Sequence, residues 1–190
     1  MVLPTIKTYV MKSKILSVFV LSSIILSVHA QKIYTTRTGQ VFFNASGGIE
    51  KIAAVNNQVE SKMLDKTGQI VFSLLVKGFH FDNQLMEDHF NENYMETSKY
   101  PKAEFKGYLK NFNAVDISKD GQYNILVSGQ IMIHGVSQKL ESEGMLIVAN
   151  GKIEIKGSFK INIKDFGING LYIGDKIAKT ATVDLDCKYE

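Results

Sequence analysis

Residues Lys152–Lys164 read KIEIKGSFKINIK. Ile153, Ile155, Gly157, Phe159, Ile161 and Ile163 fall on one face of an extended chain. Lys152, Glu154, Lys156, Ser158, Lys160, Asn162 and Lys164 fall on the other. Side chains of a strand point alternately to opposite faces, so this segment is a strand with one dry and one wet side. Gly157, on the dry side, predicts a bend or bulge of the kind a curved sheet needs.

The same period-two signal extends in both directions. Tyr123, Ile125, Val127, Ile131 and Ile133 share a face, with Gly129 among them, and so do Ala103, Phe105, Gly107 and Leu109. Near the C-terminus Ala181, Val183, Leu185, Cys187 and Tyr189 oppose Thr182, Asp184, Asp186 and Lys188. Gly68–Lys77 (GQIVFSLLVK) and Gly144–Ala149 (GMLIVA) carry bulky residues on both faces, which predicts strands covered on both sides by a neighbouring element or a partner chain. Turn signals separate these runs: SGG at 46–48, DKTG at 65–68, SKDG at 118–121, HGVS at 134–137 and ANG at 149–151. The pattern predicts an all-β protein of eight or nine strands, many of them long. Long amphipathic antiparallel strands joined by tight turns favour a barrel, because closure removes exposed edges. The one helical candidate is Asn83–Asn93, with Leu85, Met86, His89 and Phe90 on a single stripe, and Pro101 ends that region before the next strand.

The N-terminal residues read differently. Lys12 and Lys14 precede an apolar run, Ile15–Val28, and small residues lead to Ala30. This is the layout of an export signal, residues 1–30, cleaved after Ala30; the run is shorter than the ~20 residues a spanning helix needs. Met11 is an alternative start. No Cys follows Ala30, which argues against a lipid-anchored lipoprotein. Residues 31–190 are then one domain, exported to the periplasm or secreted.

Three of the 22 Lys and Arg residues, Lys7, Lys12 and Lys14, lie in residues 1–30 without any acid, leaving 19 bases against 19 acids. A neutral domain has no electrostatic reason to bind nucleic acid or an anionic membrane. Cys187 is the only cysteine, so stability rests on the core and not on an internal disulfide. His80, His89 and His134 have no metal-ligand spacing, although His80 and His89 can still meet in space. No glycine-rich phosphate loop, no GxSxG and no paired nucleophile and base are present, so neither an enzyme nor a cofactor is expected.

That leaves the apolar interior. A barrel of about eight strands is either filled by its own side chains or wide enough for one small ligand. Strands of ~11–13 residues tilted by ~40° make it roughly 30 Å tall, and a thin polyprenyl or acyl chain could thread that height with almost no polar contact. Side chains meeting across the axis are the alternative, and alternation alone does not separate the two.

Several stretches together are similar to one family. Leu85–Gly107, LMEDHFNENYMETSKYPKAEFKG, resembles the helix-and-corner segment of the YceI family, where D-H-F leads through a short spacer to K-Y-P and a following Phe. VSGQIMIHGVSQKL, GQVFFNAS and KIEIKGSFKINIKDFGI resemble its G-V strand and turn, its opening strand and its late strand. The likeness covers roughly residues 33–189. It implies a single antiparallel lipocalin-like barrel with one short helix near one end, no enzyme activity, and a polyisoprenoid or similar lipid in the central tunnel. Before the helix, where longer members carry a serine-rich stretch, this chain has LLVKGFHFDNQ, so no head-group contacts carry over.

On this reading the ligand-binding residues on the strands are Phe72, Leu74, Phe105, Ile125, Val127, Ile131, Ile155, Phe159 and Ile161. Leu85, Met86 and Phe90 would plug or line the tunnel mouth, with Phe79 and Phe81 leading in. Met suits a surface that adapts to a flexible chain; the same stripe equally serves as a plain cap on the core. The expected ligand is a polyisoprenoid, an isoprenoid quinone or a fatty-acid-like chain. The competing reading is a ligand-free β module that acts through its surface, as a homodimer or in transient contact with a membrane or an envelope protein. Its supporting features are the two-sided apolar runs.

Overall fold

The computed structural model describes residues 31–190. The export signal expected over residues 1–30 lies outside the described residues.

The strands are β1 (Ile33–Ser46), β2 (Ala53–Leu64), β3 (Gln69–Leu75), β4 (His80–Phe81), β5 (Lys102–Leu109), β6 (Gly121–Ile133), β7 (Val136–Ala149), β8 (Lys152–Asn162) and β9 (Ile177–Tyr189). They form one antiparallel sheet in the order β1-β9-β8-β7-β6-β5-β3-β2, and β1 also pairs with β2, so eight strands close into a barrel. β4 is a two-residue addition to β2. The helix α1 (Gln84–His89) continues into a π-helical turn, Phe90–Tyr94. Asn83 caps it, its side-chain oxygen accepting from the amides of Leu85 at 2.9 Å and Met86 at 3.3 Å.

Closure requires local breaks in the pleat. In β1 the register shifts on both sides of Gly39, which is buried; a Cβ there would meet the Cys187 sulfur and sit 3.2 Å from Val59 Cβ. The bulge lets β1 pair with β2 along its length and with β9 from Gln40 onward. Gly107 and Gly129 face each other across β5 and β6, and Cβ atoms there would lie 2.6 and 2.7 Å from Phe105 Cζ. The two glycines make room for the Phe105 ring to lie across the strand pair.

One end of the barrel is solid. Met63, Leu109, Phe112, Leu146, Val148, Ile153, Cys187 and Tyr189 fill it, and all are buried. The Tyr189 hydroxyl lies 2.7 Å from Ser61 Oγ, which in turn donates to the Val71 carbonyl at 2.8 Å. The β2–β3 turn, the β5–β6 connection and the Asn150–Gly151 turn close this end. At the other end are the β1–β2 turn, the helical segment, the His134–Gly135 turn and the loop 163–176.

The apolar run Gly68–Lys77, read as covered on both sides, is not. On β3, Ile70, Phe72 and Leu74 turn inward, but Val71 and Leu75 stand on the outer face, 38% and 52% exposed. Among the described residues nothing packs over that face, because the helix covers the end of the barrel and not its side.

The motif residues Tyr100 and His134 form a structural node. Their rings are 4.3 Å apart, His134 Nε2 lies 2.8 Å from a Glu96 carboxylate oxygen, and Nδ1 lies 3.2 Å from the Phe166 carbonyl. A Cβ on Gly135, at φ +73°, would sit 2.7 Å from the Tyr100 ring. The node ties together the corner after the helix, the β6–β7 turn and the loop after β8.

Candidate functional site

The dry face of β8 changes character along its length. Ile153 and Ile155 are fully buried, whereas Gly157, Phe159 and Ile161 are half-exposed although they also point inward. Phe72 and Leu74 on β3, Val127 on β6 and Leu140 on β7 behave in the same way. Packed interiors hold few voids larger than a water molecule. Here the inward-facing side chains border a cavity of about 780 Å³. That is within the range of about 300–1,000 Å³ typical of sites for one small-molecule ligand. The interior is therefore hollow in one half and solid in the other.

All 14 residues named from the sequence border this cavity. Phe72, Leu74, Phe105, Val127, Ile131, Phe159 and Ile161 line its wall. Ile125 and Ile155, with Val59 and Ile70, make its floor over the buried Met63, Leu146 and Ile153. Phe79, Phe81, Leu85, Met86 and Phe90 stand at the end closed by α1. The expectation of a chain threaded through the whole height is corrected by the floor: none of the side chains that fill the solid end borders the cavity, so the pocket is blind there.

The mouth is built around four rings. Phe43 on β1 contacts Phe79, Phe81 and Phe90 with centroids 5.1, 5.7 and 5.4 Å apart; Phe90 also meets Phe81 at 5.0 Å and Phe79 at 5.9 Å. Leu85 is 62% exposed, and across the mouth Leu171 is 95% exposed. Both also border the cavity, so it reaches solvent between α1 and the loop after β8. Tyr94 holds that loop, its ring packing where a Cβ of Gly170 would be.

Several polar groups at the mouth are engaged with one another. The Asn93 amide nitrogen lies 2.8 Å from His89 Nδ1. His80 Nδ1 lies 3.6 Å from Glu87 Oε2, which accepts the Phe81 amide at 3.2 Å. His80 and His89 thus take separate partners. No group of three or more His, Cys, Asp or Glu able to hold a metal occurs among the described residues. Cys187 lies in the solid end, where burial and then the neighbouring Asp186 push its thiol up to about 12, so it is a core side chain and not a nucleophile.

Sequence reasoning missed part of the wall. Val41, Phe43 and Ala45 of β1 border the cavity, but the bulge at Gly39 breaks the alternation that would have marked them. Ala181, Val183 and Leu185 of β9 also border it, and the clean alternation of that strand is the signal that marks them. Leu171, Tyr172 and Ile173 come from a loop with no period, and an apolar triplet between two glycines was the available signal.

The model of the YceI-like domain family matches residues 26–189. Among solved structures, the chain is similar to a polyisoprenoid binding domain from Saccharophagus degradans implicated in plant cell wall breakdown. The TM-score is 0.73 at 13% identity, over 85% of this chain and 99% of that one. It is also similar to BcnA of Burkholderia cenocepacia, with a TM-score of 0.65 at 12% identity over 80% and 96% of the two chains. A third similar structure is the YceI protein of Campylobacter jejuni, with a TM-score of 0.57 at 15% identity over 75% and 87%. No curated protein matches the sequence.

Proposed function

We propose that this chain, which belongs to the YceI-like domain family, is a non-enzymatic carrier or store for one long apolar lipid, held in the hollow half of its barrel. The observation that carries the reading is the cavity of about 780 Å³, bordered by aliphatic and aromatic side chains from the strands and closed by a solid floor. Burying apolar surface contributes about 0.8 kcal/mol per methylene-sized group, so such a pocket retains a chain with little polar help. The similarity to a polyisoprenoid binding domain supports a polyisoprenoid, with an isoprenoid quinone or fatty-acid-like chain in the same class. The aromatic mouth and the cavity residues named above are the binding residues, and no cofactor takes part. Export to the periplasm or beyond fits this role, since a water-soluble carrier shields a lipid between membranes.

A fluorescent polyene fatty acid tests the reading. Its emission rises on entering an apolar pocket, and unlabelled polyprenol then displaces it in competition. A signal that never rises, or that polyprenol leaves unchanged, contradicts the reading.

A surface role is the second reading. Val71 and Leu75 on β3 and Tyr108 on β5 are exposed on the outer face of neighbouring strands. They are a place for a second copy or an envelope partner. Light scattering across protein concentrations tests self-association, which is compatible with a ligand in each barrel.

A further inference from the structure

The wall of the hollow half parts at one place. The β7–β8 ladder begins at Ala149 opposite Lys152 and ends at Gly144 opposite Gly157, although β7 continues to Val136 and β8 to Asn162. Beyond the glycine pair, Ser142 Oγ reaches the Ser158 carbonyl at 3.4 Å, and near the barrel end Gln138 donates to the Asp165 carbonyl at 2.8 Å. Two residues without side chains therefore face each other where the ladder stops. They lie one step above Leu146 and Ile155, at the level of the cavity floor.

Outside this point runs a groove of about 550 Å³, with Phe42 and Met145 on its sides. Glu143, Gly144, Lys156, Gly157 and Leu185 border both the groove and the inner cavity. Lys156 is committed to Glu154 at 3.1 Å and Asp186 at 3.2 Å, so the apolar contacts of the groove are Phe42, Met145 and Leu185, with the Glu143 and Asp184 carboxylates at its rim.

We propose that Gly144 and Gly157 form a side port, through which an apolar chain too long for the inner cavity leaves the barrel and lies in the outer groove between Met145 and Phe42. The port rests on the lipid-binding reading above and extends it to ligand length. A chain growing down from the mouth meets the solid floor, and the glycine pair is the opening beside that floor. No ladder hydrogen bond between β7 and β8 has to break beyond it, because the ladder ends there. The ligand class is a single-chain lipid, apolar at the emerging end.

The geometry supplies its own test. A Cβ on Gly157 would meet nothing nearer than the Glu143 carbonyl oxygen at 3.9 Å, whereas one on Gly144 would be 2.7 Å from the Lys156 carbonyl. Gly157→Leu therefore adds bulk at the inner side of the port without a backbone clash. The probes are farnesol and a long-chain polyprenol, each measured by displacement of the fluorescent polyene. The expected result is a loss of long-chain affinity about tenfold or more greater than the loss for farnesol, which shares only the inner cavity that Gly157 also borders. Equal loss for both probes, or no loss for either, overturns the port.

A second variant reports independently of whether Gly157→Leu folds. Ser158→Cys, on the exposed outer face beside the port, takes a polarity-sensitive thiol label while Cys187 stays buried. Its emission is expected to shift to the blue with long-chain polyprenol and not with farnesol; an identical response to both overturns the port. If the unmodified protein binds neither probe, the lipid-binding reading itself falls and the port falls with it, whereas farnesol binding alone removes only the port.

Discussion

The ring of Phe90 stacks on that of Phe43, with centroids 5.4 Å apart and planes inclined by 23°. Phe90 begins the π-helical turn and Phe43 belongs to the first strand, so this contact fastens the helical cap to the barrel wall. Aromatic pairs contribute about 0.5–1.5 kcal/mol beyond their buried area. Replacing Met86 and Phe90 together by Ala is expected to lower stability by ~2–4 kcal/mol in urea denaturation and to speed release of a bound fluorescent polyene. Reduced stability with unchanged retention and exchange would make the stripe a plain cap.

Floor and wall side chains are expected to respond differently to truncation. Leu146 is fully buried, so Leu146→Ala leaves a new void and costs about 2–5 kcal/mol. Phe159 already borders empty space, and Phe159→Ala widens an existing cavity at less than about half that cost. Polyene affinity should move the opposite way, falling more for Phe159→Ala. Equal costs in denaturation would mean that the upper half is as tightly packed as the lower.

Two buried acids of the solid end set an alkaline limit. Burial, with Asp186 adding to it, pushes the Cys187 thiol up to about 12, and burial raises the Tyr189 phenol against the opposing Ser61 hydrogen bond. In the unfolded chain these groups titrate near about 8.5 and 10. Each folded value lies above its unfolded value, so each contribution is complete below the unfolded value and is lost as pH rises toward the folded one. The urea midpoint should therefore decline as pH rises from about 8.5 toward 12, with Cys187→Ala removing the earliest part of the decline. A midpoint flat over that interval would contradict the burial of these groups. Native protein should also leave a thiol reagent unreacted until it unfolds.

His134→Ala separates structure from chemistry in the most recognisable motif. The change unties Glu96 and the Phe166 carbonyl from one another and is expected to cost ~1–3 kcal/mol in denaturation. It should leave polyene affinity within about twofold, since His134 does not border the cavity. A large loss of affinity at unchanged stability would assign His134 to the ligand.

How much of this was legible follows from where the period of two survives. β5, β6, β8 and β9 alternate cleanly, and their inward residues could be named from sequence, down to Phe105, Val127 and Phe159. β1 could not be read in the same way, because the bulge at Gly39 exchanges faces partway along, and Phe43, the hub of the mouth, sits beyond it. The apolar run of β3 looked two-sided because composition does not distinguish a covered outer face from Val71 and Leu75 in water. Alternation marks which side chains point inward but not whether they meet. The blind pocket depends on the bulk gathered at one end by Met63, Leu146, Ile153 and Tyr189, and on the parting of β7 from β8.

Native mass spectrometry of freshly purified protein, followed by organic extraction, tests the central claim most directly. The expected spectrum shows the chain carrying one added mass, which the extract identifies as a polyprenyl, isoprenoid-quinone or acyl lipid. Clean ligand-free protein under gentle handling, with no uptake when such lipids are supplied, would contradict it.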